Sequence, residues 1–96
     1  MKSAPILERV KEMARLARER EAEKLLAVRM VKDAISEAAR QGYSRVVIAP
    51  HKPLDLTKTE VALATVAELE KDGFHIQWEV RIQPDNTSLK ALVVSW

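Results

Sequence analysis

Apolar positions follow a helical spacing through the first forty residues. No glycine and no proline beyond Pro5 interrupts them before Gly42. Ser3 is placed to cap such a helix, with Pro5 in its first turn. A helix of roughly 36 residues is about 54 Å long, more than the width of a domain this size. It must project, bend back or pack on another chain. Wound at about 100° per residue, Ile6, Val10, Met13, Ala14, Ala17, Val28, Val31, Ile35 and Ala38 fall on one broad face. That face fails between Arg18 and Lys24, where Arg20 and Lys24 stand inside the stripe. The expectation is a projecting helical arm over residues 1–24 and a compact α/β core over residues 25–96. An αα-hairpin turning near Glu19–Glu23 is the alternative, although no turn-forming residue lies there.

The pattern then changes. "RVVIA", Arg45–Ala49, is short and apolar on both faces, as in a buried strand. "TKTE" reads as a capping box, with Thr57 as N-cap and Glu60 three positions later, opening a helix through Lys71. "HIQWEVRIQ" alternates strictly, with Ile76, Trp78, Val80 and Ile82 toward a core and His75, Gln77, Glu79, Arg81 and Gln83 toward water. "PDNTS" is a turn, and "LKALVVSW" a last strand. Two helix exits are alike, "ARQGYSRVVI" and "EKDGFHIQWE". In each, glycine takes the left-handed position after the helix and an aromatic, Tyr43 or Phe74, packs back. The order is αβαββ. The predicted fold is α+β, a long N-terminal helix and a second helix on one face of a three-stranded mixed sheet. Its first two strands are parallel through a crossover and its last two form a hairpin.

Composition narrows the class. The chain has 96 residues, no cysteine and a formal charge of +2. Disulfides, zinc-thiolate sites and cysteine nucleophiles are excluded. No run approaches the roughly 18 apolar residues of a membrane span, and charge comes too early for a secretory signal. A cytoplasmic location and no membrane partner are expected. Residues 1–45 hold 11 basic and 7 acidic side chains, residues 46–96 hold 5 and 7.

Candidate chemistry is sparse. His51 and His75 stand in different elements, neither has a second ligand at helical or strand spacing, and no serine or carboxylate pair sits in a catalytic context. With only Gly42 and Gly73 there is no glycine-rich phosphate loop. No enzyme activity, cofactor or metal is expected. Three binding readings compete. Leu7, Val10, Ala14 and Ala17 follow a 3-4 spacing that suits helix-on-helix packing, and Ile6, Met13 and Leu16 widen the surface, so a protein partner or a second copy is the first. Lys11, Arg15, Arg18, Arg29 and Arg40 fall within about 60° on the helix wheel, a stripe that tracks nucleic-acid phosphates in the second. An acidic stripe, Glu8, Glu12, Glu19, Glu23 and Glu37, cancels much of its field. The third is an anion at the loop Ala49–Glu60, where His51, Lys52 and Lys58 stand before a helix N-terminus, although Thr57 and Glu60 already answer the same amides.

The pattern from Ala38 to Trp96, "ARQGYSRVVI", "LEKDGF", an alternating strand and "VVSW", resembles a group of small tailed-bacteriophage proteins with a charged N-terminal helix, a Gly-aromatic turn and a terminal Trp. The resemblance implies a viral accessory or structural protein acting by contact; in that setting the N-terminal helix is expected to pair with a second copy, making a homo-oligomer, or with a host factor or virion subunit. It implies no catalytic residues.

Overall fold

A computed structural model describes residues 4–96, so the Ser3 cap lies outside the described residues. The order is α1 (Ala4–Leu26), α2 (Val28–Arg40), β1 (Arg45–Ile48), α3 (Glu60–Lys71), β2 (His75–Ile82) and β3 (Ser88–Ser95). The fold is α+β, as the periodicities predict.

The long helix is broken, and the break is not in the polar waist. Residues 18–24 are helical, and Ala27 alone leaves the helical region, at φ −57° and ψ 143°. No glycine or proline marks the place. Packing explains it. Ala22 and Leu26 of α1 and Val31 and Ile35 of α2 are all buried in one core, and the change of direction at Ala27 lets both helices reach it. The core therefore begins before residue 25. Ala22 is fully buried, while residues 5–17 are all exposed.

The sheet is antiparallel throughout, in the order β1-β3-β2, which corrects the expected mixed sheet. β1 and β2 do run in the same direction, but β3 lies between them and pairs with both, Val46 and Ile76 flanking Val94, Ile48 and Trp78 flanking Leu92. β3 is apolar on both faces, with Leu89, Ala91, Leu92, Val93 and Val94 all buried, which is what a central position demands. β1 is an edge strand, half-buried rather than buried on both sides, and it ends at Ile48. Val46, Ile48, Ile76, Trp78, Leu92 and Val94 share the face that packs on the helices with Leu56, Ala62 and Leu69. Val80 and Ile82 continue that face but are exposed, because the hairpin runs past the helical layer.

Both helix exits close as expected. Tyr43 N–H donates to Ala38 C=O and Phe74 N–H to Leu69 C=O, each at 3.0 Å, with Gly42 and Gly73 at φ 92° and 98°. Phe74 packs on the core and meets Trp96 edge-on at 6.2 Å. Tyr43 does not pack back: it is 62% exposed. The hairpin turns at Gln83–Thr87 with Asn86 at φ 69°.

Candidate interaction surface

The base of α1 is fixed by polar contacts at two points. Thr65 Oγ1 of α3 donates to Leu26 C=O at 2.6 Å, taking up a carbonyl that the break leaves without a helical partner. Seven residues earlier, Glu19 Oε2 accepts from Glu60 N–H at 2.8 Å. Moving toward the N-terminus along α1 thus moves toward the N-terminus of α3, and the two helices are parallel. Residues 4–17 overhang the start of α3.

The direction of the arm's apolar face follows from helix geometry. Lys11, Arg15 and Arg18 line up with Ala22 and Leu26, on the side facing the domain. Ile6, Val10, Met13 and Ala17 centre about 180° away. The helix switches its apolar side between its two halves. Ile6 is 67% exposed, Leu7 51%, Val10 54%, Met13 63% and Leu16 41%, with Ala14 and Ala17 exposed beside them. All seven residues of the candidate protein-binding face therefore lie exposed on one continuous helix, with Ile6, Val10, Met13 and Ala17 turned away from the fold and Leu7, Ala14 and Leu16 on the flanks of that face. This apolar surface is left open to water by the rest of the chain.

The basic stripe does not survive as one surface. The break at Ala27 puts Arg29 and Arg40 on a different helix from Lys11, Arg15 and Arg18. Two of the five are engaged by acids: Arg15 makes a two-pronged contact with Glu12 at 2.6 and 3.0 Å, and Arg40 meets Glu37 at 2.8 Å. Each pair lowers its carboxyl, Glu12 chiefly through hydrogen bonding from Arg15 and Glu37 through that from Arg40.

The loop 49–60 is arranged differently from its expected form. The N-cap of α3 is Thr59, not Thr57: Thr59 Oγ1 accepts from Ala62 N–H at 3.2 Å and donates to Leu56 C=O at 2.7 Å. Leu56 is buried, and a turn from Leu56 to Thr59 must precede the helix. Thr57 belongs to that turn, its amide and hydroxyl both on Asp55 Oδ1 at 3.0 and 2.6 Å. Those bonds, Thr57 hydroxyl first and amide second, hold the Asp55 carboxyl below the usual aspartate range, with Lys90 at 3.5 Å adding to them. The position an anion would take at the helix N-terminus is filled by the Glu19 carboxylate. Lys58 lines a hollow with Arg18, Pro53, Leu54 and Asp55, so an acid already stands among its cations. His51 and Lys52 are exposed outside that hollow. The three candidate anion ligands do not converge.

Among the described residues, no group of three or more His, Asp or Glu side chains gathers as for a metal ion, and no helix is long and apolar enough to cross a membrane. Two features escape a reading of the sequence. One is the Glu19 contact, for which a lone acid in a mixed-charge run carries no signal. The other is an open groove of about 420 Å³ between α2 and the free edge of β1. No family model, no curated protein and no solved structure matches the chain.

Proposed function

We propose that this chain is a non-catalytic interaction protein that docks the outward apolar face of its N-terminal helix on a protein partner. The observation that carries this reading is the exposure of Ile6, Val10 and Met13 on the side of α1 opposite Ala22 and Leu26. No intrachain closure of the arm onto the core covers that side. A second copy of the chain is the simplest occupant, since two such faces are self-complementary and their pairing hides both. A foreign protein is the other. In the phage setting that the resemblance suggests, it is a host enzyme or a virion subunit met in the host cytoplasm.

Light scattering across a concentration series tests the first occupant. The full chain is expected to associate, and Val10→Glu with Met13→Glu to return it to monomer with its circular dichroism spectrum unchanged, because both positions are exposed. A chain that stays monomeric removes self-association. A photo-crosslinker placed at Met13 in the native host then tests the foreign partner, and the absence of any crosslinked protein lost in the Val10→Glu variant sinks the reading.

A further inference from the structure

The two edges of the sheet are unlike. β2 presents Glu79 and Arg81 along its length, joined to each other at 2.8 Å, the kind of charged flank that discourages strand pairing. β1 carries one charge, Arg45 at its start, with apolar side chains along the rest, and its free edge opens on the groove beneath α2.

The phase of the ladder can be read from one bond. Trp96 N–H donates to Ser44 C=O at 3.0 Å, and the register sets Arg45 against Ser95. Hydrogen-bonded pairs in an antiparallel ladder alternate, so Val46 and Ile48 turn their amides and carbonyls to β3 while Arg45 and Val47 turn theirs outward. Among the described residues no turn, cap or loop bond takes these groups up. Two N–H and two C=O groups are thus presented at strand spacing along the groove. Ala34 and Ala38 of α2 are small and leave room above them, and Tyr43 stands exposed at the end.

We propose that this edge binds an extended peptide from another protein as a fourth strand, with a small or medium apolar side chain beside Val46 under α2 and a carboxylate opposite Arg45. The charge follows from the groove. Glu37 is engaged by Arg40 and Gln41, whereas Arg45 makes no ion pair among the described residues. A second copy is a poorer fit than a lone strand. α2 packs over β1, and pairing two β1 edges about a two-fold axis brings two α2 helices onto the same face about one strand spacing, 4.8 Å, apart. Packed helices need 8–10 Å. A bare peptide meets no such obstacle, and it gains main-chain bonds from the edge and specificity from the groove.

The probe is a synthetic peptide alternating valine and threonine with one central glutamate, and a twin with lysine in its place. Each is titrated into the isotope-labelled full chain and followed by amide shifts. The glutamate peptide is expected to move Arg45, Val47 and residues 34–41, and to bind about tenfold or more tightly than its twin, the worth of one charge-assisted hydrogen bond. Arg45→Glu, an exposed change, is expected to reverse that preference. Val47→Pro removes an outward amide, which an edge strand tolerates, and is expected to abolish binding. The proposal is overturned if neither peptide moves these amides, if the shifts fall on the N-terminal arm or the hairpin tip instead, or if Arg45→Glu leaves the preference unchanged. Should Val47→Pro fail to fold, the charge reversal decides alone.

Discussion

Thr57 and Thr59 stand two positions apart in "TKTE" and have different partners, one on Asp55 and one on the first turn of α3. Thr59→Ala is expected to cost about 1–2 kcal/mol, the usual worth of a capping side chain, since the lost hydroxyl is buried and bonded twice. Thr57→Ala is expected to cost less, and urea denaturation of the two variants separates them. From sequence, Thr57 with Glu60 is the better capping box, but burial of Leu56 moved the start of the helix by two residues. Asp55 offers a second test. Its folded-state carboxyl titrates below the ordinary aspartate value, so its contribution to stability is present above about pH 4 and is lost as the pH falls through the folded-state value. The unfolding free energy of the native chain is therefore expected to drop more steeply below about pH 4 than that of Asp55→Asn.

At the scale of elements, the instructive place is Ala27. The apolar stripe drawn through one continuous helix joined Val10 and Met13 to Val31 and Ile35, residues that the structure puts in unrelated surroundings. Nothing local announces the break. It is imposed by the need to bury Leu26 and Val31 together, and the Thr65 hydroxyl stands in for the missing helical amide at Leu26 C=O. Thr65→Val keeps the shape and removes that donor, and is expected to destabilise the chain by about 1–3 kcal/mol, measured by thermal or urea unfolding. The strands were more legible than their order. Alternation located β2, and the apolar run located β3. The central place of β3 was not legible, because "RVVI", like "ALVV", has apolar residues on both faces and yet forms an edge. Reading β1 as a strand buried on both faces hid its open edge and with it the groove.

For the molecule as a whole, the radius of gyration is 15.5 Å and the longest extent 57 Å. A compact chain of this length has a radius of gyration of about 12.5 Å. The excess belongs to the overhanging half of α1. Small-angle scattering at low concentration is expected to give the larger value for the full chain and to approach the smaller one when residues 1–17 are removed. An unchanged radius would place the arm against the core. That the arm projects was legible in its length and in its lack of an intrachain partner. That its apolar side faces away from the domain was not, because the direction depends on where Ala22 and Leu26 are buried.

The contacts of Glu19, Ala22 and Thr65 at the base of α1 make the arm a lever. Ile6 lies 16 residues from Ala22, about 24 Å along the helix, so a tilt of about 10° at the base swings the tip by about 4 Å. That is the breadth of a side chain, enough to shift the tip of the apolar face by one side-chain position. Glu19, which touches no part of the apolar face, is thus one of the contacts that hold the angle at which that face is presented.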